Sequence, residues 1–187
     1  MPDTSHFEDN EQRDEKLFGE YYLALGKFIN KHSEMEFVLN LLVRHYYKLT
    51  DETANLIFQM LRVDAALDHL QRLMSSKKMS EDDSKELEFI RNQIGMINRF
   101  RNDVVHYGID AIYRKNRRAV IVTNRPFAFR NPRTYAVTPE VLRSAYRDVS
   151  KIVFRIIILM NQELRKDLNQ RYGDVLKEPW QYKPPVL

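Results

Sequence analysis

Three polar residues close together, Arg101, Asn102 and His106, carry the side chains best suited to chemistry in this 187-residue chain. They lie in the stretch Ile94–Gly108, IGMINRFRNDVVHYG. A guanidinium stays charged at any physiological pH, and its planar fork matches a phosphate. An imidazole ordinarily titrates near neutrality and can both take and give a proton, and a carboxamide one turn away can fix its orientation. Together these groups could stabilise an anion and move a proton beside it.

Their placement on a helix sharpens the point. Leu87, Ile90, Ile94, Ile97 and Val104 recur at alternating steps of three and four, the pattern of one buried helical face. The missing member of that stripe is residue 101, an arginine. An unpaired guanidinium costs several kcal/mol to bury, so Arg101 must pair with an acid, for which Glu36 is the candidate, or face a wet cleft and bind an anion. A second, polar stripe runs beside the first through Asn98, Asn102 and His106, four residues apart. Arg101 and His106 are five positions apart, about 140° around an ideal helix, so spacing alone does not bring them together. They converge only through the reach of arginine or an unwound helix end.

Other constellations carry less. His32 lies on the apolar stripe of an earlier helix with Glu36 one turn on, a one-face spacing that would suit a metal, but no second ligand pair accompanies it. His45 and His69 are isolated. The chain has no cysteine, which excludes disulfides and thiolate chemistry. It also lacks a glycine-rich phosphate loop, a nucleophile elbow and a zinc-binding His-Glu-x-x-His. No metal and no cofactor is expected.

The elements that must hold these residues are helical. From Asp14 to Lys48 the residues Leu17, Tyr21, Leu25, Phe28, Met35, Leu39, Leu42 and Tyr46 follow helical steps, with His32 filling the gap after Phe28. Thr50, with Asp51 and Glu52 behind it, suits a helix start. Short helices are expected near 51–60 and 63–75. Ser80 is a plausible N-cap for the helix of residues 81–107, whose first turn is acidic and whose end is marked by Gly108. The stretch IYRKNRRAVIVT is rich in β-formers and could turn a short hairpin at Lys115-Asn116. NRPFAFRNPRTYAVTP reads as a loop. A last long helix starts at Thr138 or Pro139 and runs to about Asp167, with Leu142, Ala145, Val149, Ile152, Ile156 and Met160 inside. The expected fold is all-α: a bundle of four to five helices at 14–168, with a short basic hairpin or loop inserted before the last long helix. Residues 1–13 read as an acidic flexible tail and 169–187 as a non-helical C-terminal tail.

Net charge is only +4, but it is unevenly spread. Residues 1–20 hold seven acids against Arg13 and Lys16, whereas residues 111–138 hold seven bases and no acid. A block of one sign suits a polyanion such as nucleic acid, although solvated basic loops share the pattern. The acidic N-terminus is unlike a signal peptide, and the apolar run Ile152–Met160 is too short to span a bilayer and contains Arg155. A soluble cytoplasmic protein that does not touch the membrane is the expectation.

Arg101 to His106, RNDVVH, at the end of a helix in a small helical protein, resembles the signature of the HEPN superfamily: an arginine, four to six residues, then a histidine, often with a polar residue directly after the arginine. Asn102 supplies that polar residue. The resemblance extends more loosely over residues 15–165, through a long first helix with an acid in an apolar context (SEMEFVLNLL) and a leucine-rich middle. It implies a metal-independent endoribonuclease, in several relatives a toxin or a phage-defence effector. Two motif copies in a homodimer would form one composite cleft. His106 would be the acid and base in attack of the ribose 2′-hydroxyl on the adjacent phosphate, Arg101 would stabilise the developing charge, and Asn102 would orient the pair. Glu36, Asn98, Asp103 and Tyr107 would be supporting residues. Some HEPN toxins carry a tyrosine two residues after the histidine, where a partner nucleotidyltransferase modifies them. That position is Gly108 here, with Tyr107 one residue early, so that mode of neutralisation does not carry over. An antitoxin or other regulatory protein remains an implied partner. Other HEPN domains are non-catalytic modules that bind a partner protein, a nucleotide or nucleic acid, the alternative reading.

In the ribonuclease reading Arg114, Lys115, Arg117 and Arg118 help hold RNA. Reversing the charge of Arg117 and Arg118 should then weaken RNA binding. It should also flatten the slope of log affinity against log salt by roughly 0.7 for each phosphate no longer neutralised, measured by titrations at several ionic strengths.

Overall fold

The computed structural model describes residues 5–58, 61–76, 78–106, 109–113, 119–123, 136–161, 163 and 165–184. The chain is predominantly helical. Its elements in order are α1 (Ser5–Tyr47), α2 (Asp51–Phe58), α3 (Val63–Ser75), α4 (Glu81–His106), β1 (Ile109–Tyr113), β2 (Ala119–Thr123), α5 (Pro139–Met160) and α6 (Arg165–Lys177). The two strands pair antiparallel, Ile109 opposite Thr123 and Tyr113 opposite Ala119.

Local chemistry explains the helix limits. α1 ends where Lys48 takes a positive φ of 55° and Leu49 N–H donates to the carbonyl of Arg44. That closure satisfies an orphan carbonyl, although a lysine adopts the conformation less readily than glycine. Thr50 Oγ1 accepts from Thr53 N–H at the start of α2, and Ser80 Oγ accepts from Asp83 N–H at 3.1 Å at the start of α4. Thr138 caps α5 through Val141 N–H, with Pro139 in the first turn.

α1 lies along α5, and their stripes form much of the core. Tyr21, Phe28, Met35, Leu39 and Leu42 of α1 are buried with Leu142, Ala145, Val149, Ile152 and Ile156 of α5. α3 adds Leu70 and Leu73, and α4 adds Leu87, Ile90, Ile94 and Ile97. Ring contacts stitch the layers: Phe28 lies 5.4 Å from Phe100, which stacks on Tyr182 at 4.9 Å. Among the described residues, no helix is long and apolar enough to cross a membrane.

Three sequence readings change. α1 begins at Ser5, so residues 5–13 are helical rather than a loose tail. Helical residues 165–167 are not continuous with α5, which stops at Met160. Asn161, with φ −122° and ψ 74°, leaves the helix and its Nδ2 donates back to Ile157 O at 2.9 Å. Residues 169–187 were expected to be a non-helical tail, yet α6 runs to Lys177 and the segment after it is fastened to the bundle.

That fastening centres on Asp148, which is fully buried on α5. Its carboxylate accepts from Gln181 N–H at 3.0 Å, Tyr182 N–H at 2.8 Å and Gln93 Nε2 of α4 at 2.9 Å. Burial pushes the Asp148 carboxyl above its ordinary value, against the opposing pull of these donors and of Lys151. Lys151, also buried, donates to the carbonyls of Glu178 and Pro179 and lies 5.3 Å from the Trp180 ring centroid. Trp180 in turn stacks on Phe89 of α4. In the first turn of α4, Asp83 pairs with Arg165 of α6 at 3.1 Å.

Replacing Asp148 with alanine leaves two backbone N–H groups and one carboxamide without their acceptor. Each orphaned buried donor costs roughly 1–3 kcal/mol, so Asp148→Ala should destabilise the fold by about 3 kcal/mol or more, measured by urea unfolding. An unchanged unfolding midpoint would show that the latch contributes nothing.

Candidate functional site

α4 remains helical through His106, so the angular separation between Arg101 and His106 is kept. The two side chains diverge accordingly. Arg101 is half-buried and its charge acts on His32 of α1, while His106 is exposed at the helix end. No hydrogen bond or ion pair to His106 is present among the described residues. One copy of the chain does not bring the arginine and histidine into a single site.

Arg101 has an unusual set of neighbours. Its Nη1 donates to Asn102 Oδ1 at 3.2 Å, and its buried Nε has no hydrogen-bond partner. The ion pair expected with Glu36 is absent, and no other acid pairs with Arg101 among the described residues. Glu36 is one turn beyond His32 on α1, with its side chain 27% exposed, and its Oε2 lies 3.9 Å from His32 Nδ1. The carboxylate therefore faces the ring edge and solvent rather than the guanidinium. Asn102 keeps its place one turn before His106 on α4, but its oxygen accepts from Arg101, and no bond between it and His106 is present among the described residues.

Asn98 is buried on the same helix, and its Nδ2 donates to Asp64 Oδ1 of α3 at 3.2 Å. It ties α4 to α3. Asn40 of α1 closes the same junction, accepting from Leu61 N–H and donating to the Leu61 carbonyl just before α3. Asp103 is half-buried, and its charge helps to hold the Tyr182 phenol above its ordinary range, after the larger effect of burial. Tyr107 lies outside the described residues, as do Arg114, Lys115, Arg117 and Arg118 between the paired strands.

His32 belongs to this cluster, which the spacing of residues 101–106 could not reveal. Its side chain is 1% exposed, edge-on to Phe28 with ring centroids 6.2 Å apart. Burial, followed by the positive charge of Arg101, lowers its pKa from 6.5 to about 4, while the Asn98 side chain acts weakly in the opposite direction. The ring is thus neutral at physiological pH, and its buried Nε2 lacks a hydrogen-bond partner. The available signal was a histidine on an apolar stripe, but which helix it would meet was not encoded in the periodicity of α1.

Arg101 is thus held by the Asn102 carboxamide and its charge acts on the neutral His32 ring, with no carboxylate paired to it among the described residues, although a half-buried arginine ordinarily finds one. That arrangement leaves a half-buried cation about 140° around α4 from the exposed imidazole of His106.

Comparison with family models, curated proteins and solved structures finds no match to this chain, so the likeness to HEPN proteins stands on the motif and its helical setting alone.

The lowered pKa of His32 has a definite sign in folding. The native ring resists protonation and the unfolded one does not, so the unfolded state binds more protons below pH 6.5, and stability falls as pH drops from 6.5 toward 4. At pH 4.5 the loss from this residue should be on the order of 2–3 kcal/mol relative to pH 7. His32→Gln should lose that portion of the acid sensitivity. Parallel urea titrations of both proteins at the two pH values measure the difference, and identical pH dependence would contradict the assignment.

Proposed function

We propose that the chain is a metal-independent endoribonuclease of HEPN type, working as a homodimer in which two copies of α4 present their ends to one RNA strand. The observation that carries the reading is the state of Arg101: half-buried, held by Asn102, and without an acid partner among the described residues. A guanidinium kept in that condition is suited to a phosphodiester, which it can grip through two parallel N–H···O bonds. Exposed His106 on the last turn of the same helix supports the second half of the reading, since a proton-transfer group must reach substrate.

The dimer answers the geometric difficulty. Within one copy Arg101 and His106 point apart, whereas across a two-fold axis the arginine of one copy can serve the phosphate beside the histidine of the other. Val105, next to His106, leaves 42% of its surface exposed, an apolar surface of the kind that packs at such an interface.

In the reaction, one His106 accepts the proton of the ribose 2′-hydroxyl as its oxygen attacks the adjacent phosphorus. The P–O5′ bond breaks, and the other His106 donates a proton to the leaving oxygen. The products are a 2′,3′-cyclic phosphate and a free 5′-hydroxyl. Arg101 stabilises the charge that accumulates on the non-bridging oxygens, and that stabilisation is greatest in a site partly shielded from water. Toxin or phage-defence activity is the biological role consistent with this chemistry, with RNA and a regulatory protein as the partners.

Cleavage of a mixed RNA substrate in the presence of chelator tests the proposal. His106→Ala and Arg101→Ala should each lower the cleavage rate by about 10²-fold or more. Cleavage that survives both substitutions would sink the site assignment, and wild-type protein that binds RNA without cleaving it would favour the non-catalytic module.

A further inference from the structure

A cavity of about 360 Å³ opens where α4, α5 and α6 meet. Glu86 lines it, and helical rise sets Glu86 about 30 Å along α4 from His106, so the cavity is no part of the proposed RNA site. Its volume lies within the range of small-molecule pockets, roughly 300–1,000 Å³.

The walls have two characters. Ile158 and Leu159 at the end of α5 and Leu176 of α6 form an apolar side. The charged lining residues are Glu86 of α4, Arg155 of α5, and Arg165 and Lys177 of α6. Glu86 pairs with Arg155, whose guanidinium also donates to the Leu176 carbonyl and lies 4.8 Å from the Phe89 ring centroid. Arg165 pairs with the buried Asp83 through Nη1, which leaves it further N–H donors. Lys177, exposed in the last turn of α6, forms no ion pair among the described residues. With those pairs matched, the lining keeps one positive charge. A carboxylate carries the single negative charge that balances it, whereas a phosphomonoester carries nearly two.

Gly173 keeps the space open. It lies inside α6, where glycine is a poor helix former, and its φ is not positive. A methyl group there would meet no heavy atom within 4 Å, so close packing does not demand glycine either. The missing side chain instead leaves room in the cavity that Gly173 lines. We propose that this cavity binds a small monocarboxylate with an apolar body, its chain against Ile158, Leu159 and Leu176 and its head at Lys177 and Arg165.

Hexanoate is the probe, followed through the methyl NMR shifts of Ile158, Leu159 and Leu176 in the full chain. Wild type should bind it with a Kd of about 1 mM, and about tenfold or more tightly than hexan-1-ol, which lacks the charge, or acetate, which lacks the chain. Gly173→Leu fills the cavity and strengthens the helix. It should bind hexanoate about tenfold or more weakly while its thermal midpoint holds or rises. Lys177→Gln should lose about threefold, whereas Lys166→Gln, the same charge change at an exposed residue of α6 outside the cavity, should stay within about twofold. Hexan-1-ol binding as tightly as hexanoate would overturn the anion assignment. Hexyl phosphate binding about tenfold more tightly than hexanoate would overturn the choice of a carboxylate. Undiminished binding by Gly173→Leu, or no methyl shifts in wild type at about 20 mM hexanoate, would overturn the site itself. If Gly173→Leu fails to fold, judged by circular dichroism, the comparison of hexanoate with hexan-1-ol on wild type decides.

Discussion

Burying the carboxylate of Asp148 in a helix interface is costly unless donors surround it, and the chain supplies them by folding its own C-terminal segment back over α4 and α5. Two backbone N–H groups from Gln181 and Tyr182 and one carboxamide from Gln93 converge on that single side chain. With Lys151 holding the carbonyls of Glu178 and Pro179, the segment is fixed at both its N–H and C=O groups. Much of the packing around the candidate site follows from this constraint, because it sets Tyr182 against Phe100.

From Tyr182 the chain of touching rings runs inward through Phe100 to Phe28 and then to His32. Arg101 follows Phe100 in the sequence, about 100° further around α4. On the other side of the junction, Asn98 binds Asp64 and Asn40 binds the backbone of Leu61, which fixes α3. The guanidinium itself is held by Asn102. Among the described residues, no carboxylate forms an ion pair with it.

This arrangement separates two side chains that the motif places within six residues. Arg101 is half-buried and held by Asn102; His106 is exposed. Helical geometry makes the division unavoidable, since five residues turn through about 140° and α4 does not unwind before its end. A site built from both residues needs a second surface, and a two-fold partner is the simplest source.

Periodicity by itself determined the helical character, the apolar faces of α1, α4 and α5, and the caps at Thr50, Ser80 and Thr138, because these depend on residues three or four apart along one helix. It also marked Arg101 as an interruption in an apolar stripe. What the arginine meets was decided by tertiary structure. Glu36 was the nearest acid in the pattern, yet packing set His32 and Asn98 at the junction and left the carboxylate facing solvent. Asp148 and Gln93 were equally silent in the sequence, because a polar residue beside a stripe ordinarily reaches water, and only the returning C-terminal segment buries them. Local spacing fixes the face on which a side chain lies; the helix that comes to cover that face fixes its partner, and with it whether a charge is cancelled or kept.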